Sequence, residues 1–138
     1  MVRILLKYKT VKLGLILIMI FIFPAPLLAR RDHPEKWYQQ KWCEAQKGQV
    51  EVVLPDGTRC DCVTDTHAIE FDFGNNWAEA IGQSAYYSLQ TDKKAGIVLI
   101  LESIKDRKYW IRLNTTIEHF NLPIDIWSVC SAAYSKYK

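Results

Sequence analysis

The stretch RCDCVTDTHAIEFDF, residues 59–73, constrains the fold more than any other part of the chain. Apolar and polar residues alternate on either side of Asp65-Thr66, which predicts two strands, 59–64 and 67–73, joined by a two-residue turn. So tight a turn sets the register: facing residues have numbers that sum to 131, so Asp61 faces Glu70 and Arg59 faces Asp72. Side chains two apart on a strand share a face, and Asp61, Glu70 and Asp72 therefore converge on one side of the sheet. Cys60, Cys62, Ile69, Phe71 and Phe73 take the other side and read as core.

Like charges facing one another destabilise a hairpin unless something offsets them. Arg59, in register with Asp72, would turn the face into a charge-balanced, solvated strip. The other compensator is a divalent cation, Mg²⁺ or Mn²⁺. Hard carboxylate oxygens suit these ions, which keep several waters and bind through a few carboxylates together with a substrate phosphate.

The flanking sequence supplies the remaining elements. A helix over 35–46 opens after Pro34 and repeats Trp37, Tyr38, Trp42 and Ala45 at helical spacing. The β-branched run 50–54 stops at Pro55-Asp56-Gly57, a turn signal. Asn75 or Asn76 can cap a helix reaching residue 90. Gly96 precedes IVLIL, apolar on both faces, as in a strand inside a sheet. Residues 106–120 are helix-compatible and 124–129 read as a last strand. The order α-β-β-β-α-β-α-β predicts an α/β fold, a mixed β-sheet flanked by helices with right-handed crossovers between parallel strands.

Charge is unevenly spread along the 138 residues, whose net charge is +3. Residues 1–29 carry Arg3, Lys7, Lys9 and Lys12 and no acid, so residues 30–138 hold 14 basic against 15 acidic side chains. That near-neutral balance removes any argument for nucleic-acid binding from bulk charge, and 49% hydrophobic content excludes a disordered chain. The four cations precede the apolar run 13–23, then Pro24, Pro26 and Ala29, the order of a secretory signal peptide. An uncleaved N-terminal membrane anchor is the alternative. Its 16 apolar residues through Leu28, interrupted by two prolines, fall short of the roughly 20 that a span needs. The expected organisation is a signal peptide over 1–29 and a single domain over 30–138, periplasmic or secreted, with no stable membrane association after cleavage. In an exported chain Cys43, Cys60, Cys62 and Cys130 permit two disulfides in three connectivities. Cys60 and Cys62 lie about 7 Å apart by strand rise, an awkward span to bridge, so one long-range bridge or small buried thiols is the expectation.

Residues 59–101, RCDCVTDTHAIEFDFGNNWAEAIGQSAYYSLQTDKKAGIVLIL, resemble the core of the PD-(D/E)XK, restriction-endonuclease-like nuclease superfamily, in a small exported group. The resemblance implies a core of helix, three antiparallel strands, helix and strand, the order read above. It implies metal-dependent hydrolysis of phosphodiester bonds in nucleic acid, DNA ahead of RNA, with Mg²⁺ or Mn²⁺ as cofactor. Asp61 looks like the metal-binding Asp of the second strand and Glu70 like the acidic residue of the third. Glu44, late on the first helix, is similar to the family's helical glutamate. Gln83 and Tyr87 resemble a Gln-x-x-x-Tyr element that positions substrate, with Arg59 a further substrate contact. The family's lysine, two residues beyond the acidic strand residue, is here replaced by Asp72. That Asp could take a second metal or act as a base, or Lys93 or Lys94 could replace the lysine. In the remaining alternative the chain is a secreted or periplasmic binding module of the same fold that no longer cleaves.

His67 reads as a turn residue, and His33 and His119 carry no partner pattern. Trp42, Trp77 and Trp127 fall at core positions, whereas Trp37, Tyr38, Tyr86, Tyr109 and Trp110 are candidates for stacking on single-stranded bases. No Gly-x-Ser-x-Gly, phosphate loop or zinc helix signature occurs.

Overall fold

The computed structural model describes residues 31–131; the expected export segment 1–29 lies outside them. The described residues form a five-stranded mixed sheet and three α-helices. Helix α1 (Glu35–Ala45) leads into β1 (Gln49–Val53), β2 (Arg59–Val63) and β3 (His67–Phe73). A 3-10 turn, Gly74–Asn76, precedes α2 (Trp77–Thr91), which is followed by β4 (Lys94–Leu101). Another, Ile104–Asp106, precedes α3 (Arg107–Phe120) and β5 (Ile124–Cys130). No helix among them is long and apolar enough to cross a membrane.

The strands lie side by side in chain order, antiparallel from β1 to β3 and parallel from β3 to β5. The meander needs only tight turns, while each parallel pair needs a crossover, which α2 and α3 provide. β4 is flanked on both sides, and all its residues after Lys94 are buried, as its two-faced apolar run requires.

The alternation of β3 and β4 divides the core in two. Ile69, Phe71 and Val98 pack with Cys43 and Cys62, and Phe73 and Ile100 with Tyr38, under α1. Ala95, Ile97, Leu99 and Leu101 pack with Ala80 of α2 and with Leu113 and Ile117 of α3 on the opposite face. Full burial of each such aliphatic side chain contributes about 1.5–3 kcal/mol.

A disulfide joins Cys43 of α1 to Cys62 of β2, one long-range bridge. Gly48 lets the chain pass beside it: a β-carbon there would come within 2.7 Å of the Cys43 sulfur and 2.8 Å of the Cys62 sulfur. Cys60 departs from the expected alternation and packs with Leu54, Ala68 and Tyr87. The cause lies across the ladder, where Glu51 has φ 56° and the paired positions run from Val50↔Cys62 to Val52↔Cys60 without it. A non-glycine residue with positive φ breaks the pleat as a bulge does, and alternation does not carry through it.

Candidate functional site

The hairpin register is the expected one. β2 and β3 pair at Cys62↔Ile69 and Val63↔Ala68, whose numbers sum to 131. Toward Asp61 the backbone pairing gives way to a side chain: Asp61 Oδ2 accepts the Phe71 amide at 2.8 Å. The strands part where the acids lie. Glu70 and Asp72 alternate with the core residues of β3 and are 5% and 7% exposed.

Glu35 joins them from the first turn of α1. Burial raises its carboxyl to about 7, the charges of Asp61 and Asp72 push the same way, and Arg31 opposes them. Burial, then Asp61, drives Glu70 far above the usual carboxylate range, with Asp72 and Glu35 adding to the rise. Burial also raises Asp61, but the Phe71 amide and a hydrogen bond with Glu70 stabilise its charge. Burial and each other's charge thus oppose full ionisation of the Asp61–Glu70 pair. Glu70 Oε2 is buried with no hydrogen-bond partner. Asp72, raised by burial, has an oxygen already engaged: its Oδ1 accepts Asn76 Nδ2 and the Phe73 amide, each at 2.8 Å.

Arg59 does not face Asp72. Its Nη1 lies 3.0 Å from Glu51 Oε2, and that hydrogen bond holds Glu51 below its ordinary value. The parting of β2 from β3 ends the register that would have joined Arg59 to Asp72, and β1 offers a nearer carboxylate. The cation that acts on the cluster is Arg31, anchored by Asn75 Oδ1 at 2.8 Å and by the Phe73 ring at 3.6 Å.

Glu44 also stands apart. It is exposed and accepts a hydrogen bond from Gln40 at 3.0 Å. It follows Glu35 by about two and a half turns, which places it on the opposite side of α1. Glu35 shares its helix stripe with Tyr38, Gln39 and Trp42, at offsets of three, four and seven residues. Glu35 went unrecognised in the sequence; its place on the stripe of Tyr38, Gln39 and Trp42 is a signal that could have drawn attention to it. Gln39, 2% exposed, supports the same region through a hydrogen bond to Glu51.

Tyr87 approaches from α2. It is 7% exposed, and burial together with the charges of Glu70 and Asp61 raises its phenol. Gln83, half-buried, lies one turn earlier on that helix. Lys93 and Lys94 do not reach the acids. Lys93 Nζ donates to the Asp65 carbonyl at 2.7 Å and Lys94 pairs with His67, both at the turn end of the hairpin. Of the stacking candidates, Tyr38 is core, with its hydroxyl 3.1 Å from Glu102, while Trp37 lies against His33 at 3.9 Å.

Chemically, the site gathers carboxyl oxygens whose ionisation is opposed by burial, one of them without a hydrogen-bond partner. Among the described residues no group of three or more His, Cys, Asp or Glu side chains is placed to hold a metal ion. Comparison with protein-family models, with characterised proteins and with solved structures finds no match for this chain.

Proposed function

We propose that this chain is a metal-dependent phosphodiester hydrolase acting on nucleic acid, with a restriction-endonuclease-like fold. The observation that carries the reading is the buried, unpartnered Glu70 Oε2 inside a cluster with Asp61, Asp72 and Glu35. A protein that retains such an arrangement gives up stability, and a cation bound there recovers it. Asp61 and Glu70 would hold Mg²⁺ or Mn²⁺, and Glu35 takes the supporting role that resemblance assigned to Glu44. The ion would supply charge stabilisation at phosphoryl oxygen and a more acidic water. The Phe71 amide steadies Asp61, and Tyr87 closes the inner wall of the site. Export through the segment 1–29 remains part of the proposal, and the Cys43–Cys62 disulfide supports an oxidising compartment.

The test is cleavage of DNA and RNA by the full chain with Mg²⁺ or Mn²⁺. Asp61→Ala and Glu70→Ala should remove activity, Glu35→Gln should lower it, and Glu44→Ala should leave it intact. Wild-type protein no more active than Asp61→Ala and Glu70→Ala would overturn the reading. A second reading, a binding module without chemistry, draws on the occupied Oδ1 of Asp72 where the family has its lysine. It is favoured if calorimetry detects cation binding and no phosphodiester is cut.

A further inference from the structure

A cavity of about 330 Å³ lies at the other end of the hairpin, between the last turn of α1 and the β2–β3 turn. It falls at the small end of the range for ligand sites. Trp42 and Trp127 line it, with ring centroids 5.5 Å apart. The Trp127 indole lies against Gly96, where a β-carbon would come within 2.9 Å of it. His67 meets Trp127 edge to face at 5.3 Å and is itself held at both nitrogens, Nε2 to Asp125 Oδ2 at 2.8 Å and Nδ1 to Thr66 Oγ1 at 2.7 Å. The imidazole is thus engaged within the protein, and it fixes the aromatic wall before any ligand arrives.

The groups left to meet a ligand are few. Gln46 and Asp65 line the cavity, and neither side chain is hydrogen-bonded to any described residue. Asp65 is the charged residue of the lining, and no lysine or arginine lines it, so a phosphate inside would face an anion. Cations adjoin it from outside. Lys93 holds the Asp65 carbonyl, Lys47 follows Gln46, and Lys94 pairs with His67. The arrangement suits a planar aromatic group that stacks within while its phosphate stays at the rim. The two oxygens of a carboxylate accept two neighbouring N–H donors. Guanine offers such a pair on its pairing edge. Adenine and cytosine offer an amino group beside an acceptor, and uracil one N–H between two carbonyls.

We infer that this cavity is a nucleobase subsite that favours guanine through Asp65 and the Trp42–Trp127 wall. The inference rests on the proposed activity only for the source of the base. The test is titration of the full chain with GMP, AMP, CMP, UMP and ribose 5-phosphate in metal-free buffer, followed by tryptophan fluorescence. GMP should quench saturably and bind at least tenfold more tightly than UMP, with no response to ribose 5-phosphate. Asp65→Asn, at an exposed turn position, should cost tenfold or more in GMP affinity, and Gln46→Ala should weaken it less. No quenching, equal affinity for the four nucleotides, or an unchanged Asp65→Asn variant would overturn the inference. Because no metal is present, GMP binding without cleavage activity would refute only the hydrolase reading, and cleavage without GMP binding only this one.

Discussion

The two ends of helix α1 treat their polar groups in opposite ways. At its start, Glu35 joins Asp61, Glu70 and Asp72, where burial and mutual repulsion lift the carboxyls and one oxygen stays without a partner. At its other end, beside Trp42 and Gln46, His67 is buttressed at both ring nitrogens. The helix between them rises about 16 Å, so one rigid element spans a strained electrostatic site and a satisfied aromatic one. The contrast teaches where stability was given up: the acidic end buries carboxyls whose ionisation is costly and leaves one oxygen without a partner.

The largest expected effect breaks both ends at once. Phe71 is 1% exposed, packs its ring on Trp42 and gives its amide to Asp61. Phe71→Ala should cost about 3–5 kcal/mol in urea unfolding. Next comes the Cys43–Cys62 disulfide, which ties α1 to the strand that carries Asp61 across a sequence separation of 19. Its reduction, or a Cys43→Ser, Cys62→Ser pair, should cost about 2–4 kcal/mol, read as the difference between unfolding midpoints with and without reductant.

The acidic end can then be sharpened alone. A carboxyl whose folded pKa lies above its unfolded value keeps a proton in the native state that the unfolded chain has released. Stability should therefore be greatest at acid pH and fall as pH climbs past 4.5, the ordinary glutamate value. The fall continues through about 7, where Glu35 titrates, and beyond it for Glu70. Glu70→Gln should stabilise the protein by about 1–3 kcal/mol at pH 8, flatten that slope, and abolish any gain from added Mn²⁺. Urea titrations at pH 5 and pH 8 with and without the cation read all three. A variant as pH-sensitive as the wild type would place the strain elsewhere. The smallest effect belongs to the satisfied end. Asp125 is 57% exposed, and Asp125→Ala should cost under about 1 kcal/mol.

Much of this was legible beforehand because it depended on neighbours in the chain. Alternation and a two-residue turn specified the β2–β3 register, and a run apolar on both faces marked β4 as interior. Glu70 and Asp72 share a face of β3 for the same reason, whereas Asp61 is tied to them through the Phe71 amide and Glu70. Other residues could not be placed in this way. Glu35 rather than Glu44 reaches the acids because of how α1 packs on the sheet, which helical periodicity does not encode. Arg59 pairs with Glu51 because a positive φ in β1 reshapes the edge, and Cys60 turns to the Tyr87 side with it.

Sequence alone determined the hairpin, its register and the face that Glu70 and Asp72 share on β3, since a strand's period of two converts spacing directly into direction where the pleat is unbroken. Tertiary structure alone decided which of the four cysteines are bridged, which glutamate completes the cluster, and that His67 with Asp125 braces a cavity. Those outcomes join residues far apart in the chain, 19 positions for the disulfide and 58 for the histidine pair. Such contacts are set by how packed elements cross, which depends on the fit of whole faces rather than on any local pattern.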